Sequence, residues 1–190
     1  MKTNFTKPLV LASAIAGIAL LPACSASETA EPTAETQDNT TRTLAAAMGE
    51  LPEMASFSGA VSSAQLNSIF DGPASYTVLA PVDAAFSALG EQGQALMTEE
   101  QRPVLAGVIR EHILPGHLTP EDFASAIESQ GGKVTMTTFG GGDLTFSMDG
   151  DTIVATNSTG EVARFSGTAT AATNGVIIPV DTVLVPGEEG

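Results

Sequence analysis

The spacing of apolar residues predicts helices in the first third of the chain. Leu44, Met48 and Leu51 recur at helical spacing, and Phe57 and Val61 repeat the step four residues apart. The apolar side chains of each run therefore fall on one side of a helix, as they do where a helix covers a core. We expect short amphipathic helices before the first strand.

Two more helix starts are predicted further along the chain. Thr98–Gln101 fits a capping box, in which a threonine and a residue three positions later bond each other's amides. Thr119 is a capping residue type, and Pro120 suits the first helical position. Phe123 and Ile127 then form an apolar pair four residues apart. The sequence therefore predicts helices after residues 98 and 119.

A change of period after residue 132 predicts strands in the second half. Residues 134–137 and 144–148 alternate apolar and polar side chains, as strands with one buried face do. Asp149-Gly150 is a hairpin signal, and residues 157–160 predict another turn. Helices first and strands afterwards, with one strand inserted early, indicate an α+β domain.

The early strand is predicted at residues 76–80. This run contains Thr77, is largely apolar and is rich in β-forming residues. Pro81 ends it, because proline has no amide to donate to a ladder. Asp83 stands where a helix N-cap is needed, and Phe86 lies on the apolar face of the helix predicted to follow.

The most apolar strand is predicted near the C-terminus. Asn174 and Gly175 supply a turn, and the run 176–185 follows it and ends at Pro186. Pro179 within the run predicts a bulge or an edge position. Asp181 in the same run must accept hydrogen bonds or lie at an exposed edge, because an unpaired buried carboxylate is costly.

These two segments resemble the two signature motifs of the fasciclin (FAS1) domain. Residues 111–116, which contain His112, Pro115 and Gly116, resemble the central segment of the family. The resemblance covers residues 43–187 and implies a compact wedge of β-strands flanked by several α-helices. Two departures stand out, because Glu111 replaces the usual tyrosine and Ile178-Pro179 replaces the usual His-Val. The integrin contact of the Tyr-His segment in animal relatives is not transferred to Glu111.

The N-terminus is predicted to be a targeting segment. Lys2 and Lys7 precede an apolar run of thirteen residues, 9–21, too short for a spanning helix, which takes roughly 20. Residues 21–24 resemble a bacterial lipobox, which implies a lipoprotein signal peptide at residues 1–23 and lipid attachment to Cys24. A plain secretory signal with a chance cysteine is the alternative.

The composition of residues 24–42 predicts a disordered acidic tether, because Ala, Ser, Thr, Glu and Pro dominate and no large apolar residue occurs. Residues 43–187 are then one domain of ordinary size. We expect a protein of the bacterial cell envelope, facing the periplasm or the exterior, on the outer membrane if the organism is Gram-negative. Its membrane contact is expected through the Cys24 anchor only.

Charge excludes one class of partner. The chain has 7 basic and 22 acidic residues, a net charge of −15, and loss of Lys2 and Lys7 with the signal peptide makes it more acidic. Proteins that bind nucleic acid present basic patches, so we expect no nucleic-acid partner. Direct adsorption to anionic lipid head groups is disfavoured for the same reason.

The chain offers little that resembles a catalytic or metal site. His112 and His117 flank a Pro-Gly pair and do not share a helical face, so His112 is expected to be structural. Cys24 is assigned to lipid, and no nucleophile motif surrounds any other residue. The triple glycine 140–142 lacks the Lys-Ser/Thr of a phosphate loop and predicts a hairpin loop instead. We expect no enzyme activity, no cofactor and no metal.

The predicted function is adhesion, matrix or surface interaction without catalysis, with an unidentified protein or polysaccharide as partner. The alternative is a periplasmic or surface protein that binds a small molecule or glycan, which requires a ligand-sized pocket. An enzyme is the third possibility. The family-motif positions are expected to have folding roles. They are Thr77, Pro81, Asp83, Phe86, His112, Pro115, Gly116, Asn174, Gly175, Asp181 and Pro186.

Overall fold

The structure is a computed structural model that describes residues 36–38 and 41–186. The helices are α1 (Leu44–Met48), α2 (Ala55–Ser63), α3 (Asn67–Phe70), α4 (Asp83–Ala88), α5 (Glu91–Leu96), α6 (Arg102–Glu111) and α7 (Pro120–Ser129). The strands are β1 (Thr36–Asp38), β2 (Tyr76–Pro81), β3 (Ile113–Pro115), β4 (Lys133–Thr137), β5 (Asp143–Asp149), β6 (Thr152–Thr156), β7 (Val162–Arg164), β8 (Ala169–Ala172) and β9 (Gly175–Val180). The predicted α+β class is confirmed.

The strands form two sheets. One has five strands in the order β1-β8-β9-β2-β3, and the other is an antiparallel sheet in the order β4-β5-β6-β7. Strands β2 and β9 carry the first and second sequence motifs, and they lie side by side and parallel, with Thr77 opposite Val176. Two motifs that are distant in the sequence therefore share the centre of one sheet.

Each face of strand β2 belongs to a different part of the core. Val78 and Ala80 pack with the helices α1, α2 and α6, whereas Leu79 points into the space between the two sheets. In that second space the rings of Phe123 on α7 and Phe146 on β5 lie 4.5 Å apart between centroids. A strand that is buried on both faces reads as a nearly continuous apolar run, which explains its sequence pattern.

Of the three helix caps that the sequence predicts, the structure confirms one and contradicts two. The Thr119 hydroxyl accepts from the Asp122 amide at 3.3 Å, and the Asp122 carboxylate accepts from the Thr119 amide at 2.8 Å, so the predicted cap is confirmed. The capping box at Thr98 is wrong, because α6 begins at Arg102 and the Thr98 hydroxyl bonds the Ala95 carbonyl instead.

The prediction that Asp83 caps the helix that follows it is also wrong. The N-cap of α4 is Val82, which makes no side-chain cap, and Asp83 is the first residue of the helix. Its carboxylate instead accepts a 2.7 Å hydrogen bond from the amide of Ser56, in the first turn of α2. Asp83 therefore caps a neighbouring helix rather than its own.

The C-terminal run is shorter as a strand than its composition predicts. β9 ends at Val180, and residues 181–186 continue without regular structure. Pro179 lies in a central strand, but its carbonyl faces away from β2 and accepts from the Ser166 amide at 2.8 Å. β8 does not extend to that point, so the missing amide of Pro179 leaves no ladder partner unpaired.

Part of the predicted tether lies against the domain. Residues 36–38 form β1, which pairs in parallel with β8, and the Arg42 carbonyl accepts from the amide of Thr173 at 2.7 Å. The prediction of disorder is therefore wrong for 36–38. The signal peptide and Cys24 lie outside the described residues, as do most of the tether's remaining positions. Within the described ranges, no helix has the length and apolarity needed to cross a membrane.

Candidate functional site

Asn174 connects the start of the domain to the central sheet. Its side-chain oxygen accepts from the Leu44 amide at 2.8 Å, and its side-chain nitrogen donates to the carbonyls of Phe70 and Gly72 at 2.7 and 3.0 Å. The side chain is buried, and all three partners are backbone groups that secondary structure leaves unpaired. The next residue, Gly175, lies so close to the Tyr76 carbonyl that a Cβ would overlap it.

Thr77 and Gly116 lie together on the other side of β2. The buried Thr77 hydroxyl donates to the Gly116 carbonyl at 3.0 Å and accepts from the Leu118 amide at 2.9 Å. Gly116 has φ of 102°, a left-handed value that favours glycine, and it follows Pro115 at the end of β3. The hydroxyl therefore holds the turn that joins β3 to α7.

His112 joins α6 to the C-terminal segment, which is residues 181–186. It is fully buried, its Nδ1 lies 2.8 Å from the Val108 carbonyl, and its Nε2 accepts from the Leu184 amide at 3.0 Å. These partners assign the neutral tautomer with hydrogen on Nδ1. Burial lowers the pKa of His112 from 6.5 to about 4, and the hydrogen bond with Val108 opposes part of that change. Both ring nitrogens are engaged, so neither is available to a ligand.

Three other motif positions lie nearer the surface. Asp181 is exposed, and its carboxylate accepts from the Arg164 amide at 2.8 Å and from the Thr182 hydroxyl at 2.9 Å. Phe86 is half-buried among helices, and Pro186 lines the cleft described next. Asp181 is thus exposed and hydrogen-bonded, and it lies just after the end of β9 rather than at the edge of a sheet.

A cleft of about 290 Å³ lies between α6 and the C-terminal segment. Its walls come from the second half of α6, the loop after β4, the turn at residues 157–158 and the segment 184–186. The polar side chains that line it include Arg110, Glu111 and Asp143. Four segments that are far apart in sequence therefore form one concave surface.

Glu111 explains the triple glycine beside the cleft. Its carboxylate accepts from the Thr138 hydroxyl at 2.6 Å and from the Gly142 amide at 3.3 Å. A Cβ on either Gly140 or Gly142 would overlap this carboxylate. The loop of residues 138–142 thus wraps around the glutamate that stands at the usual tyrosine position, and its glycines accommodate that side chain.

Arg110 is exposed at the edge of the cleft. Arg42, Arg102 and Arg164 form ion pairs with Glu50, Glu99 and Asp149, respectively. Over the described residues Arg110 has no carboxylate within ion-pair distance, so its guanidinium keeps its donors for solvent or a ligand.

The opposite wall of the cleft is fixed by two side chains. Asn157 donates to the Val185 carbonyl at 3.0 Å, and the Glu161 carboxylate accepts from the Val185 amide at 2.9 Å. Both backbone groups of Val185 are thereby paired, although the segment is not a strand. The wall is therefore held in place by the turn that follows β6.

Two further kinds of ligand-binding group are an exposed aromatic ring and a set of metal ligands. Phe139, beside Gly140 in the chain, is 47% exposed and contacts Tyr76 edge to face, with 5.6 Å between ring centroids. Throughout residues 36–38 and 41–186, no three histidine, cysteine or acidic side chains are grouped as a metal site would require.

The family model of the Fasciclin domain matches residues 52–186. The chain belongs to the fasciclin-domain family. Its fold is similar to the solved structure of a FAS1 domain pair from the insect cell adhesion molecule Fasciclin I, with a TM-score of 0.67 and 15% identity. The match covers 77% of this chain and 52% of the domain pair, so the chain spans about half of that structure. No curated protein matches the sequence significantly.

Family membership confirms the predicted resemblance. The cleft was not predicted from the sequence. Arg110 and Asp143 belong to no motif, and the signal that could have found the cleft was the pairing of an unusual Glu111 with a triple glycine 29 to 31 residues later.

Proposed function

We propose that this fasciclin-domain protein acts in adhesion, matrix or surface interactions at the bacterial cell envelope, held there by lipid on Cys24. The observation that carries the proposal is the match of the family model across residues 52–186, joined to a fold similar to that of an insect cell adhesion molecule. The lipobox-like residues 21–24 support the proposed location. Several acyl chains, at about 0.8 kcal/mol per buried CH₂, hold a protein to a membrane durably.

The proposed role involves no catalysis. Fasciclin domains serve generally as adhesion domains, and the chemistry of this chain agrees with that role. His112, a candidate base by residue type, is buried with both nitrogens bonded, and the carboxylate of Glu111 accepts from the Thr138 hydroxyl and the Gly142 amide. The Thr138 hydroxyl that bonds Glu111 is buried, so it is not presented to a substrate as a nucleophile.

The location is tested with the Cys24→Ser variant. Mass spectrometry of the mature wild-type protein should show the added lipid, and the protein should sediment with membranes. The variant should lack the lipid and appear in the soluble fraction, and cells that make it should attach less well to surfaces. Wild-type protein without lipid, or full attachment by cells with the released variant, would refute this part of the proposal.

A second candidate function is the binding of a small molecule or glycan. The cleft beside Arg110 favours it, because it combines polar groups with the apolar side chains of Val185 and Pro186. Its volume of about 290 Å³ stands at the lower end of the usual range for ligand sites, about 300 to 1,000 Å³. A site of this size suits one unit of a larger ligand.

A further inference from the structure

We infer that the cleft beside Arg110 binds a neutral sugar unit of a saccharide. The inference rests on the second candidate function and names its ligand class. It follows from the hydrogen-bonding groups that line the cleft, from their charges, and from the apolar surface beside them.

The free donors and acceptors of the cleft match hydroxyl groups. Arg110 is a donor only, and Ser158 can donate from a hydroxyl that no other described residue bonds. Asp143 is an acceptor only, and it uses Oδ1 for the Thr137 hydroxyl at 2.8 Å, which leaves Oδ2 without a partner among the described residues. A sugar hydroxyl both donates and accepts, so neighbouring hydroxyls on one ring can satisfy both kinds of group.

Glu111 adds acceptor capacity on the same side. A carboxylate has about four lone-pair sites, and Thr138 and Gly142 occupy two of those on Glu111. Because these two bonds and the glycine loop hold the carboxylate in place, it meets a ligand without losing much side-chain freedom. Glu111 is thus largely ordered before a ligand binds.

The charges of the cleft favour a neutral ligand. Two carboxylates, Glu111 and Asp143, stand against one guanidinium, and the chain as a whole has a net charge of −15. The negative net charge repels an acidic polymer, and Arg110 repels a basic group at the centre of the cleft. A neutral polyhydroxyl ring meets neither penalty.

The cleft also presents apolar surface to a sugar ring. The half-buried Val185 and the exposed Pro186 line the cleft and can contact the carbon-bearing face of a ring.

The test is a titration of the isotope-labelled full chain, followed through its backbone amide resonances. Neutral gluco-, galacto-, manno- and xylo-oligosaccharides form one set of probes. Oligogalacturonate and oligochitosan are the acidic and the basic comparison. We expect at least one neutral oligosaccharide to shift the amides of residues 140–142, 158 and 185 saturably, with no saturable shift from the charged probes.

Arg110→Ala should weaken this binding about tenfold, as expected when hydrogen bonds from a charged donor are lost. Arg102→Ala is the matched control, because Arg102 is on the same helix but outside the cleft. The affinity of this variant for the oligosaccharide should equal that of wild type. Asp143→Asn tests the acceptor and should also weaken binding. Equal unfolding temperatures for the variants and wild type will show that the fold is intact.

Three results would overturn the inference: no saturable shift with any neutral probe, binding of a charged probe alone, or wild-type affinity in Arg110→Ala. Failure here is distinguishable from failure of the proposed adhesion role. If no saccharide binds but loss of the domain reduces attachment, the inference is wrong and the adhesion role stands. If a saccharide binds but attachment does not depend on the domain, the reverse holds.

Discussion

The Nε2 atom of His112 accepts a hydrogen bond from the Leu184 amide at 3.0 Å, across 72 positions of sequence. The same ring bonds Val108 through Nδ1, and the carbonyl of His112 accepts from the Leu79 amide at 2.8 Å. One residue thus joins α6, the central strand β2 and the C-terminal segment. Since Leu184 also lines the cleft, this contact positions part of the candidate site.

Acid should destabilise the protein through His112. Its pKa is about 4 in the folded state and near 6.5 when unfolded, so the unfolded chain binds the proton first as the pH falls. The stabilisation is therefore complete above pH 6.5 and is lost as the pH falls towards 4, by about 3 kcal/mol. Urea unfolding at a series of pH values measures this loss of unfolding free energy.

The control for this pH dependence is a pair of substitutions. His112→Gln does not titrate and should flatten the decline in unfolding free energy between pH 6.5 and 4. His117→Gln, at an exposed position, should retain the decline of the wild type. The same decline in His112→Gln as in the wild type would assign the acid sensitivity to other groups.

Asn174→Ala should reduce the free energy of unfolding by about 3 kcal/mol or more. The change leaves the Leu44 amide and the carbonyls of Phe70 and Gly72 without their side-chain partner, and unpaired buried groups cost about 1 to 3 kcal/mol each. Asn67→Ala is the matched control, because its side chain makes one exposed hydrogen bond, and it should change stability by less than about 0.5 kcal/mol. Similar midpoints of denaturation for the two variants would contradict the assignment.

Asp83→Ala should destabilise the protein by about 1 kcal/mol through α2, the helix that it caps from outside. Hydrogen exchange locates the effect, since the amides in the first turn of α2 should lose protection before those of α4. Asp151→Ala, at an exposed turn position, is the control and should leave exchange unchanged. Loss of protection that begins in α4 would restore Asp83 as the cap of its own helix.

Two Gly→Ala substitutions should have opposite effects. At Gly175 a Cβ would overlap the Tyr76 carbonyl and come within 2.7 Å of Leu44 Cδ1, so the sheet must shift and stability should fall. At Gly59, within α2, a Cβ meets no atom within 4 Å, and alanine should stabilise by about 0.5 to 1 kcal/mol. Thermal unfolding of both variants checks the two signs, and a stabilising Gly175→Ala would contradict the close approach of β2 and β9.

Local signals in the sequence were sufficient for much of the fold. The Thr119 cap, the turn at residues 157–160 and the alternating strands are decided by residues a few positions apart, and the structure has them. The hairpin between β5 and β6 has the predicted two-residue length, but its turn residues are Gly150 and Asp151 rather than Asp149 and Gly150, because Asp149 pairs with Thr152. Gly150 has φ of 63°. The family motifs extended this local knowledge to the whole domain.

Most of the errors share a physical cause, which is a partner distant in the sequence. The exception is Thr98, whose hydroxyl bonds the carbonyl of the nearby Ala95. Asp83 resembles the cap of the helix that it begins, but tertiary packing brings it to Ser56, 27 residues away. Residues 36–38 have the composition of a tether, yet the edge of β8 offers them hydrogen bonds. The cleft needs four separate segments to meet, so no single stretch of sequence predicts it.

The proposed role requires that the folded domain, held at the envelope, makes the surface contacts. The most direct measurement compares the attachment of cells that make the full chain with that of cells whose chain lacks residues 43–187 but keeps the anchor segment 1–42. Equal amounts of anchored product must be verified in both strains. We predict that attachment falls to the level of cells without the protein, whereas unchanged attachment by the anchor-only strain would contradict the account.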